Sequence, residues 1–255
     1  MIKVVVCGAL GKMGRIMVDE IVGDAELSLA GAVEAPGHPG LGSKLGGVAV
    51  TADLAAAAQL ADVVVDFTNP KAALAAIEAS AAAGKAAIVG ATGFTAEQLA
   101  EAKKAGSKIP LIISPNMSAG VNLLFKVVAD VARALPDFDV EIVEMHHNKK
   151  KDSPSGTAAK LAGVVAEARP GSSVIHGREG ILGSRPPAEI AVHALRGGDV
   201  VGEHTIVFAG EGERFELGHR AHSRRTFARG TLRAIRFLHG KTPGLYTMAD
   251  VLGLT

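Results

Sequence analysis

The chain is poor in aromatic residues: it has no tryptophan, one tyrosine (Tyr246) and 4% aromatics in all. Its core must therefore be aliphatic, built from Val, Ile, Leu and Ala. The stacking platforms that a single-strand nucleic-acid binder needs are missing. There is one cysteine, Cys7, inside an apolar run. One thiol makes neither an internal disulfide nor a cysteine zinc site. It points to a reducing compartment, the cytoplasm. Neither sign of charge is in excess, with 27 Lys and Arg against 26 Asp and Glu and a formal net charge of +1. That gives no electrostatic case for nucleic acid or a membrane surface as the main partner. The longest uncharged run, Ile109 to Phe125, is interrupted by Pro110, Pro115, Asn116 and Asn122, which excludes a membrane span. The N-terminal apolar run leads straight into glycine and lacks the layout of a signal peptide.

What is present is enough apolar surface to fold: 48% hydrophobic and 21% charged residues over 255 positions, one large domain or two small ones. The first 115 residues alternate short apolar runs with alanine-rich stretches. The runs Ile2–Cys7, Leu27–Val33, Val63–Phe67, Ala86–Val89 and Leu111–Ile113 have the length and unbroken hydrophobicity of parallel strands covered on both faces. Helices are expected over Lys12–Val22, Pro70–Ala83 and Thr95–Ala105, with Gly84 and Gly106 as C-caps. The fold class is α/β, a Rossmann-type parallel sheet. After residue 120 the pattern changes. A helix is expected over Val121–Leu135, a strand over Phe138–Met145 and a helix over Thr157–Ala168. Strands dominate 188–221, with a hairpin turn at Gly210–Glu213. This is an α+β domain with an open mixed sheet, one face of which self-association can cover. A last helix runs over Arg224–His239. The expected domains are 1–118, completed by 224–255, and 119–223.

Gly8, Gly11 and Gly14 follow the first strand directly. Glycines at a strand-to-helix junction let backbone N–H groups approach a pyrophosphate. The spacing is GxxGxxG, with Leu10 where the usual fingerprint has glycine. A tight turn without ligand would use the same residues. Glu34, 20 residues after Gly14 at the end of the second strand, is placed to accept hydrogen bonds from a ribose diol. Its alternative is an ordinary solvated strand end. Together the two features point to a dinucleotide site. A carboxylate at Glu34 repels a 2′-phosphate and Ala35 offers no clamp, so NADH is the expected cofactor; Lys12 and Arg15 leave NADPH open. Further strand ends line such a crevice: Phe67-Thr68, Gly90-Ala91-Thr92-Gly93 and Ser114-Pro115-Asn116-Met117.

The stretch from Glu144 to Thr157 reads Glu-Met-His-His-Asn-Lys-Lys-Lys-Asp-Ser-Pro-Ser-Gly-Thr. Ser153 or Ser155 can N-cap the next helix, and Pro154 fits its first turn. Imidazole, ammonium and a helix N-terminus in one place suit a dianion, and a small dicarboxylate better than a phosphate polymer. A solvated basic loop is the competing reading of Lys149–Lys151. A histidine zinc site has neither cysteine nor an HExxH helix behind it, so no metal is expected.

The chain resembles the 4-hydroxy-tetrahydrodipicolinate reductase (dihydrodipicolinate reductase) family of diaminopimelate and lysine biosynthesis. The resemblance covers essentially the whole chain. It rests on Gly8 to Arg15, Asp66-Phe67-Thr68, Gly90 to Gly93, Asn116 to Asn122, Glu144 to Thr157, Arg178-Glu179-Gly180, Arg196 to His204 and Ser223-Arg224. It implies a Rossmann domain, a tetramerising substrate domain and a final helix that returns to the first domain. It also implies reduction of the hydroxylated cyclic imine with NADH or NADPH and loss of water. By motif position His146 is the proton donor and Lys150 the second catalytic group. Lys150, His147, Ser155, Gly156 and Thr157 hold the substrate carboxylates. The cofactor residues are Gly8, Ala9, Leu10, Gly11, Lys12, Met13, Glu34, Phe67, Gly90, Ala91, Thr92, Ser114, Pro115, Asn116, Met117 and Arg224. Other readings are a related reductase, such as an aspartate dehydrogenase-like protein, and a dinucleotide sensor without turnover.

Overall fold

Buried valines on alternate sides of one strand show how the first sheet is covered. In a computed structural model describing residues 1–254, β1 (Ile2–Cys7) sends Val4 and Val6 into one apolar cluster and Val5 and Cys7 into another. The chain continues through α1 (Lys12–Val22), β2 (Leu27–Val33), β3 (Lys44–Leu45), β4 (Val48–Thr51), α2 (Leu54–Leu60), β5 (Val63–Asp66) and α3 (Pro70–Ala83). Next come β6 (Ala86–Val89), α4 (Ala96–Lys104), β7 (Pro110–Ile113), α5 (Ala119–Ala134), β8 (Asp139–His146), α6 (Gly156–Ala168) and β9 (Ser173–His176). The remainder is β10 (Glu189–Arg196), β11 (Gly202–Gly210), β12 (Glu213–Ala221), α7 (Arg225–Leu238), β13 (Gly244–Tyr246) and α8 (Met248–Leu252). Two compact units result: Met1–Ala119 with the segment from Arg224 onward, and Gly120–Ser223.

The first unit is an eight-stranded sheet in the order β13-β7-β6-β5-β1-β2-β4-β3, parallel except for β3 against β4. Residues of α1, α7 and α8 pack on one face, with Met17, Ile21, Leu232, Ile235 and Met248 buried there. Ala57 and Ala58 of α2, Ala73 and Ile77 of α3 and Ala102 of α4 pack on the other. Strand order reverses beside β1, which pairs with β2 on one side and β5 on the other. This is the topological switch point of a doubly wound sheet, outside whose carboxyl edge ligands bind.

The second unit holds a five-stranded mixed sheet, β12-β11-β8-β10-β9. Its β8 alternates strictly, with Val140, Ile142, Glu144 and His146 buried and the intervening residues half-exposed. The apolar members of that buried face meet α5 and α6 through Val121, Phe125, Val128, Leu161 and Val165. Arg169, just past α6, donates to the carbonyls of Ala132 (2.9 Å), Phe138 (2.6 Å) and Leu135. It thereby ties the end of α5 to the start of β8.

Several boundaries differ from expectation for physical reasons. Gly106 lies in a short 3-10 turn (Ala105–Ser107), and α4 ends before it. A side chain on Gly106 would collide with Leu245, so packing rather than capping accounts for the residue. Pro154 precedes α6 instead of entering its first turn, because Ser155 is the N-cap and its Oγ accepts from Ala158 N at 3.2 Å. Leu54–Leu60 forms a helix and Ser173–His176 a strand that sequence reading does not mark out.

Candidate active site

Register aligns the carboxyl ends of the first sheet. Cys7 sits opposite Val33 and Asp66, Asp66 opposite Val89, and Val89 opposite Ile113. The segments Gly8–Met13, Glu34, Phe67, Gly90–Thr92 and Ser114–Met117 therefore leave the sheet along one edge. Gly8 is left-handed (φ +64°), and a Cβ there would lie 2.5 Å from Thr68 Cγ2. Only glycine lets the turn lie this close to the neighbouring strand end. Gly11 is the N-cap of α1 and has no side chain to bond the first-turn amides. By contrast α2, α3, α4 and α8 start on the side-chain caps Asp53, Asn69, Thr95 and Thr247. A helix start left open in this way is suited to an anionic ligand.

Glu34 Oε1 accepts from Leu10 N (2.7 Å) and Oε2 from Ala35 N (3.2 Å). Its carboxylate is fixed at the glycine turn and keeps lone pairs for further donors. Arg15 Nε donates to Leu10 O at 3.0 Å, which sets a cation beside the same turn. Asp66 is buried, and burial pushes its carboxyl above the usual range against bonds from Thr68 N (2.9 Å) and Oγ1 (2.8 Å). The ring of Phe67 lies where a side chain on Gly90 would be. Ser114 Oγ donates to Asn116 O at 2.8 Å and shapes the 114–117 turn. Ala9, Ala91 and Met117 are buried in the apolar clusters beneath these turns. Arg224 is the N-cap of α7 and, like Gly11, provides no side-chain cap. Gly230 of that helix sits against the Met117 carbonyl, where any Cβ would overlap it. This contact holds α7 to the 114–118 turn, and sequence reading missed it.

In the second unit His146 ends β8 with 9% of its surface exposed. Its Nδ1 lies 2.5 Å from Glu144 Oε2. Burial holds its pKa below the ordinary histidine value, Glu144 opposes this, and the charges of Lys150 and Arg196 add to it. Lys150 is half-buried and pairs with Asp152 at 2.8 Å, whereas Lys149 and Lys151 are exposed. Of the three lysines it is the one turned toward the protein. His147 donates its backbone N–H to Val200 O (2.7 Å) and stands outside the strand. Gly156 and Thr157 form the first turn of α6, beside the buried Ser155. His204 Nε2 is 3.0 Å from Ser155 Oγ, and its ring meets that of His146 edge to face at 5.2 Å. The unit thus gathers His146, Lys150 and the start of α6 at one end of β8. Sequence reading gave no role to Glu144, Arg196 or His204, which support this group. Among the described residues there is no His, Cys, Asp or Glu cluster able to hold a metal. No helix among them is long and apolar enough to cross a membrane.

Comparison with known proteins places this geometry. Residues 2–117 match the family model "Dihydrodipicolinate reductase, N-terminus" and residues 120–252 the model "Dihydrodipicolinate reductase, C-terminus". The chain is 53% identical over 264 residues to 4-hydroxy-tetrahydrodipicolinate reductase of Anaeromyxobacter sp. (strain Fw109-5), covering 100% of this chain and 98% of that one. It is 50% identical over 267 residues to the enzyme of that name from Geobacter metallireducens, covering all of both chains. Among solved structures, the dipicolinate-bound dihydrodipicolinate reductase from Paenisporosarcina sp. TG-14 superposes with a TM-score of 0.81 at 29% identity, over 98% of each chain. With both units matched in order and relatives half-identical from end to end, the chain belongs to the dihydrodipicolinate reductase family.

Proposed function

We propose that the chain reduces 4-hydroxy-2,3,4,5-tetrahydrodipicolinate to 2,3,4,5-tetrahydrodipicolinate, with one NAD(P)H and one proton consumed and one water released. Family membership carries the reaction class. The observation that carries the site is His146 beside Lys150 and the first turn of α6, held from behind by a buried carboxylate. A bound reduced nicotinamide supplies the hydride. The residues to hold the cofactor are the glycine turn from Gly8 to Met13, Glu34, Phe67, Gly90–Thr92, Ser114–Met117 and Arg224. The open start of α1 supports a pyrophosphate there.

His146 donates the proton that neutralises the negative charge developing on the imine system. Lys150, once released from Asp152, and the α6 amides of Gly156 and Thr157 hold the two carboxylates with His147, the Ser155 N–H being given to Glu144 Oε1. Fixed cations beside the developing charge favour the transition state. NADH is the preferred cofactor, a reading supported by the Glu34 carboxylate held at the glycine turn, whose charge would repel a 2′-phosphate. The second unit binds substrate and self-associates to a homotetramer, a reading supported by exposed Leu195 and Phe215 on its strands. The setting is cytoplasmic.

The test is a coupled assay with freshly made substrate and either cofactor, followed at the nicotinamide absorbance. Turnover with a higher kcat/KM for NADH is expected. A folded protein that binds NADH and turns over nothing would overturn the reading. Light scattering at assay concentration tests the tetramer.

A further inference from the structure

Glu144 has no exposed surface, so it cannot touch a substrate, yet four contacts converge on its carboxylate. It lies two residues before His146 on β8, which puts both side chains on one face. Arg196, the register partner of His146 on β10, reaches across with Nη1 2.9 Å from Oε2 and Nη2 2.8 Å from Oε1. The Ser155 backbone N–H donates to Oε1 at 3.0 Å. His146 Nδ1 supplies the remaining contact, at 2.5 Å. Burial alone would raise the Glu144 pKa, but the bonds from Arg196, His146 and Ser155 outweigh it and hold it below the usual range. An ionised carboxylate only accepts, so the atom facing it must carry a hydrogen. The other ring nitrogen, Nε2, points toward Gly202, where a Cβ would stand 2.9 Å away.

We propose that Glu144 is a positioning residue: clamped by Arg196 and the Ser155 amide, it fixes His146 in the Nδ1–H form, so that Nε2 alone delivers the reaction proton. The inference rests on the reading of His146 as the proton donor. His146 enters as imidazolium, the Nε2–H bond breaks, the proton passes to the substrate, and the ring is left neutral with Nδ1–H bonded to Glu144. Glu144 stays ionised throughout, and Nε2 is reprotonated from solvent. The groups facing the ring are Glu144 on β8, Arg196 on β10, His204 on β11 and Lys150 in the loop after β8. Of these only Glu144 favours the imidazolium.

The experiment compares wild type with Glu144→Gln in steady-state kinetics from pH 5 to 9. Loss of the charge should lower kcat about 100-fold, leave KM within about threefold, and move the limb of the kcat profile assigned to His146 to lower pH. Glu144→Asp, which keeps the charge, should recover about tenfold of that loss. A purely structural role would reduce the folded fraction without moving the pH limb, and an unmoved limb with wild-type kcat overturns the proposal. Because Glu144→Gln leaves Arg196 without its partner and can misfold, a second measurement uses wild type. In 15N-histidine spectra, with His146 assigned by loss of its signals in His146→Gln, neutral His146 should carry its hydrogen on Nδ1. A hydrogen on Nε2 overturns the proposal. This readout does not need turnover, so an inactive wild type would count against the proposed reaction and leave the tautomer decided.

Discussion

His204 should make the second unit sensitive to mild acid. It is 4% exposed, its Nε2 is 3.0 Å from Ser155 Oγ, and its Nδ1 is buried without a hydrogen-bond partner. Burial first, and then the His146 charge, bring its pKa from 6.5 to about 4. Between those values the unfolded chain takes up a proton that the folded chain refuses. Stability is therefore intact above pH 6.5, falls through the window down to about pH 4, and loses no more from this group below it. At about 1.4 kcal/mol per pH unit the loss is about 3 kcal/mol. Glutamine at 204 keeps an N–H for Ser155 and does not titrate. Urea unfolding of wild type and His204→Gln, followed by circular dichroism at pH 7, 6, 5 and 4 and one protein concentration, isolates the effect. Carboxylates titrate in both proteins and cancel in the difference. The stability of wild type relative to the variant should drop by about 3 kcal/mol between pH 7 and 4. A difference that stays constant with pH would refute the reasoning.

Gly230→Ala forces a methyl group into the Met117 carbonyl; it should destabilise the first unit by about 3 kcal/mol and weaken NADH binding measured by fluorescence titration. Arg169→Met strips three carbonyls of their donor; a loss of about 3 kcal/mol in urea unfolding is expected, and a loss below about 0.5 kcal/mol would mean water replaces the guanidinium. Glu34→Gln removes the charge at the glycine turn; the ratio of kcat/KM for NADPH over NADH should rise about tenfold, and an unchanged ratio would move cofactor choice to other residues.

The elements best read from sequence are those with a local cause. β1, α1, β2, α3 and β6 fall where apolar runs and helix stops put them, because strands covered on both faces leave no polar residues to blur their ends. α2 spans seven residues, largely alanine, too short for a periodic pattern to show. β13 spans three residues, and its side chain at Leu245 is half-exposed, so nothing local marks it as a strand; its pairing with β7 does. The site divides in the same way. His146, Lys150 and Ser155 lie within ten residues and can be read as a group. Arg196 comes to Glu144 only through the β8–β10 register, 52 residues on. His204 arrives by the antiparallel β11, opposite Glu144. Long-range pairing of this sort leaves no trace in local composition.

The first sheet is completed by residues made after the whole second unit. β13 adds its edge strand next to β7, and α7 lays Leu232, Ile235 and Leu238 against the apolar side that α1 begins. During synthesis on the ribosome, Gly120–Ser223 is polymerised in full before either piece is made. The nascent first unit therefore waits through the synthesis of about a hundred further residues with the β7 edge unpaired and Met17 and Ile21 without their α7 neighbours. Such an exposed edge is a natural point of capture for chaperones and a hazard for aggregation. A stall or premature stop within α7 should be damaging although that helix carries neither His146 nor Lys150.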